Sequence, residues 1–296
     1  MHIFVPKHSE TALVKSFLDY HKVVNPFNLK PYSEEMLLGL GGGLCFEYNI
    51  TTSIPTKENP YRSIKFNPIL RSNYNKNNYN FIESIFESIG VDAAVKSKNK
   101  IFFNECSDCE NPKQVSFSIK HNIKQCAYEM LNSGNKNNGL SGIEKWIKAL
   151  RGESNGTSWI NLFKTTDELA GAILNTYQSI EIDNNGGGAF RKMYAAFLTE
   201  SSSIFKQTSL GEISNELIKS GNLWSKFAEV SLSKFKNSMN LKDLKKNIAD
   251  DKYRTEIQKD LRLKDSEKME LFNSMADILV EIYRIESEIF SRLNCV

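Results

Sequence analysis

The sequence predicts an α+β fold, with a mixed N-terminal lobe over residues 1–96 and an all-helical domain over residues 116–296. Three observations support this division. Strand and helix patterns alternate before residue 97, and helical periodicity dominates after residue 115. Between them, residues 97–115 are rich in Lys, Asn, Ser and Asp and contain a Pro, so we predict a linker there.

The N-terminal lobe begins with a predicted short strand at His2–Val5. Ser9 is a typical helix N-cap, and the apolar spacing after it predicts a helix that runs to Tyr20. Ser33 is placed to cap a second, short helix over Glu34–Leu38.

The rest of the lobe alternates between strands and a helix. The glycine-rich stretch Gly39–Gly43 ends the second helix, and Leu44–Ile50 then has the pattern of a strand. Asn80–Ile89 is amphipathic and predicts a third helix, and Val91–Val95 predicts a buried strand. Within the predicted linker, Ile101–Phe103 is the one segment that resembles a strand.

Apolar periodicity divides the second half into helices, interrupted by loops that contain glycine. The predicted helices cover residues 116–131, 141–150, 157–180, 189–206, 210–236, 241–260 and 266–293. The last helix carries a heptad seam formed by Leu271, Met275, Ile278, Ile282, Ile285 and Ile289. Because fewer than three full repeats are short for a coiled coil, packing within its own bundle is favoured over a homodimer.

Composition narrows the classes of function. The chain has 38 Lys and Arg residues and 35 Asp and Glu residues, which gives a net charge of +3. This positive excess is too small to indicate binding to nucleic acid or to a membrane surface. No apolar run approaches the roughly 20 residues of a membrane span, and the N-terminus lacks the pattern of a signal peptide. Five scattered cysteines do not suggest a disulfide framework. We expect a cytoplasmic protein.

A metal site is the one special role that the cysteine spacing allows. Cys106 and Cys109, with His121 and Cys126, supply four groups of the kind that bind Zn²⁺. His121 and Cys126 are five residues apart, however, so on one helix they point about 140° apart. Ordinary reduced cysteines are therefore favoured, and we predict neither a metal nor a cofactor.

Several motifs resemble the butirosin biosynthesis protein H family. In the N-terminal lobe they are His8-Ser9-Glu10-Thr11-Ala12-Leu13 and the stretch from Tyr32 to Tyr48, YSEEMLLGLGGGLCFEY. In the helical half they are Gly139-Leu140-Ser141-Gly142-Ile143, the stretch from Gly186 to Tyr194, GGGAFRKMY, with Phe197-Leu198, and Trp224. The resemblance covers most of residues 1–95 and 118–293. It implies a papain-like N-terminal domain, here shortened, followed by the family's helical domain.

The resemblance also implies a chemistry. Family members of this kind transfer an acyl or peptidyl group from a carrier-protein thioester to an amine. That reaction needs a cysteine at the start of the first helix, where the helix end favours the thiolate, and a histidine from a later strand as base, oriented by an acid.

This sequence departs from that pattern at two points. The position of the nucleophilic cysteine holds Ser9, whose hydroxyl is a poor nucleophile without a base. The strands that carry the base and its acid are also missing, since the interval from Ser97 to Phe117 contains no histidine.

The remaining histidines are poor substitutes for the base. His8 adjoins Ser9, and neighbouring side chains usually diverge; His21 lies about 18 Å further along the same helix. His121 belongs to the helical half and reaches Ser9 only if the tertiary fold brings it there, and His2 lies outside the motif. Surface or locally bonded roles are favoured for these histidines.

The two glycine triplets do not fit a phosphate loop, so close packing is their favoured role. The second triplet leads directly into a helix start, where an anion can bind with Arg191 close by. If the two halves enclose a ligand pocket, its candidate residues are His8, Glu10, Gly41, Gly42, Gly43, Gly187, Gly188, Arg191 and Tyr194.

We therefore expect a non-catalytic relative that binds an acyl or peptidyl carrier protein, its intermediate or a partner enzyme. One alternative is an active acyltransferase with Ser9 as nucleophile and a base recruited from elsewhere, such as His8, His121 or a partner chain. Another is an oligomeric scaffold that uses the C-terminal helix.

Overall fold

A computed structural model describes residues 7–53, 63–71, 80–97, 100–105, 111–154, 156–183, 185–235, 241–248, 250–259 and 261–296. The described chain is mostly helical, with a few short strands near its N-terminal end, which confirms the α+β class. The predicted strand at His2–Val5 lies outside the described residues.

In the described part of the first 105 residues there are three helices and six strands. The helices are α1 (Ser9–Tyr20), α2 (Glu34–Leu40) and α3 (Phe81–Ile89); the strands are β1 (Leu44–Glu47), β2 (Ile50–Ser53), β3 (Ser63–Phe66), β4 (Ile69–Arg71), β5 (Asp92–Ser97) and β6 (Lys100–Glu105). The strands pair antiparallel as β1 with β4, β2 with β3 and β5 with β6. In the β2–β3 pair, Ile50 lies opposite Phe66 and Ser53 lies opposite Ser63.

The three predicted N-terminal helices are confirmed, with one correction at α1. His8 is the N-cap of α1, and its Nδ1 accepts a hydrogen bond from the Thr11 N–H, so Ser9 is the first residue inside the helix. The strand predicted at Leu44–Ile50 is divided between β1 and β2. Strands β3 and β4 were not predicted, because they are short and an Asn-Pro pair lies between them.

The interval predicted as a linker has regular structure in its described part. Strand β6 lies inside that interval and pairs with β5, which extends the expected Ile101–Phe103 segment in both directions. A long helix begins at Pro112, capped by the Asn111 side chain, because proline is favoured in the first turn of a helix.

The second half of the chain is helical, as predicted. Its helices are α4 (Pro112–Asn132), α5 (Gly139–Leu150), α6 (Trp159–Leu162), α7 (Thr166–Glu181), α8 (Arg191–Phe205), α9 (Thr208–Ser231), α10 (Leu241–Asn247), α11 (Asp251–Gln258) and α12 (Asp265–Leu293). Two predicted helices are each divided in two. Thr165 and Glu168 form a capping box that starts α7, and Asp250 caps α11, so both breaks follow helix-start signals.

One hydrophobic core joins the strands to the helices. Phe46 of β1 stacks on Trp146 of α5, with ring centroids 5.9 Å apart, and lies 5.8 Å from Trp224 of α9. Phe66 of β3 lies 4.7 Å from Trp146 and 5.2 Å from Trp159. All five aromatic side chains are fully buried, so the two halves share one interior.

The heptad seam of α12 is used inside this chain. Leu271, Met275, Ile282 and Ile289 are at most 1% exposed, and the helix packs against α4, α5 and α9. A coiled coil through the same seam would require this packing to open. The seam therefore packs within the chain's own bundle, which is the role that its short length favoured.

Apolar helices of membrane-spanning length are absent from the part of the chain that the structure describes.

Candidate functional site

Ser9 lies at the N-terminal end of α1 with its side chain exposed. No residue of the described chain forms a hydrogen bond with its hydroxyl group. The adjacent His8 is only 5% exposed, so the imidazole points away from solvent. The candidate nucleophile Ser9 and the candidate base His8 are therefore adjacent in sequence, but one side chain is exposed and the other is buried.

Both imidazole nitrogens of His8 have partners other than Ser9. Nδ1 accepts the Thr11 N–H at 3.3 Å, which fixes it as the unprotonated nitrogen, and Nε2 lies 3.4 Å from Glu10 Oε2. The ring also packs edge-on against Phe81 and Phe190, with centroids 5.6 and 5.4 Å away. His8 therefore acts as a helix cap and a packing residue in this arrangement.

The buried carboxylate of Glu34 lies against the same helix end. It accepts hydrogen bonds from the backbone N–H of Lys7 at 3.1 Å and of His8 at 3.0 Å, and from Thr11 Oγ1 at 3.1 Å. A helix N-terminus favours an anion, and here that anion is a residue of the chain. The N–H groups of Lys7 and His8 are therefore already bonded to a side chain of the protein.

The other two described histidines, His21 and His121, do not supply a base to Ser9, and His2 lies outside the described residues. His21 is the C-cap of α1, at the opposite end of the helix from Ser9, and its ring contacts Phe17. His121 stacks on Phe117 on the exposed face of α4, with ring centroids 6.0 Å apart. Because α1 is continuous from Ser9 to Tyr20, His21 lies a full helix length from Ser9, as the sequence predicted.

A left-handed turn brings the second glycine triplet to this site. The φ angles of Gly186, Gly187 and Gly188 are 70°, 77° and 63°, and those of Ala189 and Phe190 are 57° and 65°. L-residues with side chains adopt this conformation at a cost of roughly 1–2 kcal/mol each, and consecutive ones are rare. The turn holds the Phe190 ring against His8, so it connects the helical half to the start of α1.

The carboxylate beside this glycine triplet also belongs to a side chain of the protein, Glu181. The Gly188 N–H donates to Glu181 Oε1 at 3.0 Å, and the Gly187 N–H donates to Asn185 Oδ1 at 2.8 Å. Ser225 Oγ donates to the same Glu181 oxygen at 2.6 Å. The Glu181 carboxylate, at the end of α7, therefore occupies the place where the sequence allowed an anion to bind.

Arg191 lies inside the core instead of in a ligand pocket. Its Nε and Nη2 donate to the two carboxylate oxygens of Glu286 at 2.8 and 2.9 Å, and both side chains are 0% exposed. Ser220 and Trp224 also donate to Glu286 Oε1. This arrangement satisfies both charges and leaves the guanidinium group inaccessible from solvent.

The first glycine triplet and Tyr194 form a packed contact between the halves. A Cβ on Gly43, whose φ is 75°, would lie 2.6 Å from the Tyr194 ring, and a Cβ on Gly41 would overlap Phe81. Burial, followed by the neighbouring Cys126 thiol, holds the pKa of Tyr194 well above its usual range. No described nitrogen or oxygen hydrogen bonds to the Tyr194 hydroxyl group. The glycines therefore permit close approach, as their favoured role predicted.

Two cavities lie elsewhere, each lined by described residues. A cleft of about 550 Å³ between β3, α7 and α11 is lined by Ile64, Lys65, Asp167, Glu168, Gly171, Ala172, Asn175, Gln178, Ile248, Arg254 and Gln258. A smaller cavity of about 360 Å³ beside α4 is lined by Cys45, Gln125, Tyr128, Glu129, Asn132, Ser133, Gly134 and Asn138. Sequence reasoning missed both, because their lining residues form no motif and meet only in the tertiary fold.

The described residues contain no group of three or more His, Cys, Asp or Glu side chains that could hold a metal ion. Cys106 and Cys109 lie outside the described residues. His121 is exposed whereas Cys126 is buried and donates to the Leu44 carbonyl, so these two side chains face different directions on α4. Their placement agrees with the angular argument against a shared metal.

A family model described as a domain of unknown function, DUF4872, matches residues 89–258, which is more than half of the chain. The matched region begins at the end of α3 and ends with α11, so it contains the glycine turn and Arg191 but neither Ser9 nor Glu286. No curated protein and no solved structure matches the chain.

Proposed function

We propose that this chain, which belongs to the DUF4872 family, is a binding protein related to carrier-protein-dependent, amide-forming acyltransferases of natural-product biosynthesis. In this proposal it binds an acyl or peptidyl carrier protein, or an enzyme of the same pathway, and does not itself transfer the acyl group. Its N-terminal part would be a shortened papain-like lobe that has lost its catalytic groups.

The observation that carries the proposal is the state of the α1 terminus. Ser9 is exposed without a base among the described residues, while His8 is turned inward and bonded to Thr11. Attack on a thioester requires that the Ser9 proton be removed and that the developing negative charge be stabilised. Glu34 already accepts the His8 N–H at this helix end, so that donor is not available to stabilise the charge.

The helical half supports retention of a binding role. It contains the DUF4872 match and the motifs that resemble the butirosin biosynthesis protein H family. The turn that ties this half to α1 keeps two side-chain-bearing residues, Ala189 and Phe190, in the left-handed region. Strained backbone of this kind persists where the surrounding structure enforces it, and it is concentrated at functional sites.

The end of α1 and the segment that follows it offer a surface for the partner. Tyr20 is 82% exposed and Leu29 is 76% exposed, and Leu29 has a φ of 58° that a leucine rarely adopts. Lys22 and Lys30 are exposed in the same segment. Exposed apolar side chains beside lysines fit a partner with an acidic rim and an apolar contact.

The proposal is tested with an acyl-loaded carrier protein and a primary amine. Calorimetry should show that the carrier binds the wild-type chain, and mass spectrometry should show no amide above the rate without the chain. Leu29→Ser together with Lys22→Glu should weaken binding by about tenfold or more, since a buried apolar contact and a charge contact are both lost. Ile218→Ser, which alters an exposed apolar residue of α9, serves as the matched control.

Turnover would decide against the proposal. Amide formation that disappears in Ser9→Ala, together with an acyl adduct on Ser9 in the intact-mass spectrum, would instead identify an active acyltransferase. The pairing of His8 with Glu10 at 3.4 Å beside Ser9 is the observation that favours this second function.

A further inference from the structure

The larger cleft runs along one face of α7. Its volume is about 550 Å³, and its lining includes residues between Asp167 and Gln178, which span about 16 Å of helix. Gly171 lies on this face, and a Cβ there would meet Gln258 Nε2 at 3.5 Å, an ordinary contact distance. Because α7 presents no side chain at this position, there is room for a ligand between α7 and α11.

Arg254 of α11 is held in a fixed orientation at one end of the cleft. Its Nη2 donates to Asn175 Oδ1 at 2.6 Å, and its Nη1 donates to Gln178 Oε1 at 2.8 Å. Both amides are fixed in turn, since Asn175 Nδ2 donates to the Phe66 carbonyl and Gln178 Nε2 donates to Asp183 Oδ1. The two amide oxygens are therefore directed at the guanidinium group.

The partners of Arg254 in these two bonds are neutral. Other arginines of the described chain form salt bridges with carboxylates: Arg151 with Asp277, Arg191 with Glu286 and Arg292 with Glu216. Amide oxygens orient a guanidinium group without bringing a negative charge to it. The bonds to Asn175 and Gln178 thus position the charge of Arg254 without neutralising it. A guanidinium group placed in this way favours an anion, and its planar fork matches a carboxylate.

The other charged residues of the lining restrict the charge of that anion. Lys65 and Arg254 are balanced by Asp167 and Glu168, which lie about two helical turns from the amides that hold Arg254. Asp167 is exposed, and the Glu168 carboxylate accepts hydrogen bonds from the N–H and hydroxyl groups of Thr165. A ligand with one negative charge at the Arg254 end fits this balance better than a phosphate with two.

Apolar side chains supply the remaining contact. Ile64, Ala172 and Ile248 line the same cleft and are at most 9% exposed. A hydrocarbon chain that extended from the Arg254 end towards Gly171 would lie against these side chains and lose contact with water. The lining therefore suits a ligand that is charged at one end and apolar along its length.

We propose that this cleft binds a small monocarboxylate with a short hydrocarbon chain. Arg254 would bind the carboxylate group, and Gln258, which lies one turn further along the same face of α11, would donate a further hydrogen bond. The chain would occupy the space beside Gly171. This proposal does not depend on the function proposed above, because an acyl group on a carrier protein is a neutral thioester and has no carboxylate for Arg254 to bind.

The test compares hexanoate with hexanamide, which has nearly the same shape but no charge. Calorimetry and saturation-transfer NMR on the full chain at neutral pH should show saturable binding of hexanoate and at least about tenfold weaker binding of hexanamide. Arg254→Gln should weaken hexanoate binding by about tenfold or more and leave hexanamide binding unchanged. Arg262→Gln, at an exposed arginine after α11 and outside the cleft lining, should change neither.

Gly171→Leu tests the position of the ligand without altering a charge. The leucine side chain would fill the space beside Gln258, so hexanoate binding should fall by about tenfold or more, whereas the smaller Gly171→Ala should retain most of it. Circular dichroism should show that all these variants remain helical, since leucine and alanine both favour a helix.

Four results would overturn the proposal. They are a failure of hexanoate to bind the wild-type chain saturably, equal binding of hexanamide, and an unchanged affinity for hexanoate in Arg254→Gln or in Gly171→Leu. Inorganic phosphate is the remaining control: if it binds more tightly than hexanoate and displaces it, the cleft attracts anions in general and is not a carboxylate site.

Discussion

The guanidinium group of Arg191 and the carboxylate of Glu286 form a two-pronged salt bridge from which solvent is fully excluded. The two residues are 95 positions apart and join the start of α8 to the last part of α12. Ser220 and Trp224 of α9 donate to the same carboxylate, so three helices meet at one buried charge pair.

Removal of one partner should be severely destabilising. We expect Glu286→Ala to lower the free energy of unfolding by about 3–5 kcal/mol, because Arg191 would remain buried with its charge uncompensated. Urea unfolding followed by circular dichroism measures this loss. The double variant Arg191→Met with Glu286→Leu should lose less than Glu286→Ala, since it leaves no buried charge; an equal or larger loss would contradict the explanation.

Gly188 should be intolerant of a side chain. A Cβ there would lie 2.6 Å from the Gly221 carbonyl oxygen, and its φ of 63° adds strain, so we expect Gly188→Ala to cost at least about 2 kcal/mol in thermal or urea unfolding. Gly171 is the matched control, because a Cβ there would meet only Gln258 at 3.5 Å. Gly171→Ala should stabilise α7 by up to about 1 kcal/mol. Similar losses in both variants would be inconsistent with this account.

Glu200 should make stability fall as the pH rises. Burial, with a smaller contribution from Glu35, raises the pKa of its carboxyl group above 4.5, against the opposing effects of the Ser33 hydroxyl and Lys7. The native state therefore holds the proton more tightly than the unfolded chain does. This contribution to stability is present below about pH 4.5 and is lost as the pH passes through the raised pKa.

Glu200→Gln removes this dependence. As the pH is raised from acidic to neutral, the free energy of unfolding of the variant should increase relative to that of the wild type. Unfolding measured at several pH values gives this difference. Ser33 can still donate to the glutamine oxygen, so the contact at 2.6 Å is preserved. A stability difference that stays constant with pH would refute the assignment. The exposed Glu153→Gln variant provides the baseline.

The buried cysteines should resist alkylation in the native protein. Burial is the main cause that raises the pKa of Cys45 to about 12 and of Cys126 to about 11, so few thiolates form at mildly alkaline pH. Cys295 is exposed near the C-terminus. Peptide mapping after iodoacetamide treatment should find Cys295 modified before Cys45 or Cys126, and the order should vanish in urea. Early modification of Cys45 would show that its cavity opens readily.

Local signals account for what the sequence predicted well. The apolar spacing of α12 and the amphipathic pattern before Gly90 depend only on neighbouring residues, so those helices were recognisable. The sequence predicted Ser9 as the N-cap of α1, whereas His8 is the N-cap and Ser9 is the first helical residue. The prediction favoured the serine because a histidine seldom caps a helix.

Features created by distant residues were not predictable in the same way. The glycines at 186–188 suggested unusual backbone, but the left-handed φ of Ala189 and Phe190 contradicts their own preferences. The partner of Arg191 is separated from it by most of the helical half. The smaller cavity arises only where α4, Cys45 of β1 and the loop before α5 meet in the tertiary fold.

The stacking of Phe46 on Trp146 has a consequence for how such a chain can diversify. An early strand forms part of the wall against which later helices close, so neither portion presents a finished surface when it stands alone. A chimera joined near residue 97 with an unrelated helical portion would lack the matching aromatic rings and would expose this apolar wall to water. Substitutions at this contact should therefore occur together in the two portions during evolution. A protein in which one portion is replaced by an unrelated one should aggregate.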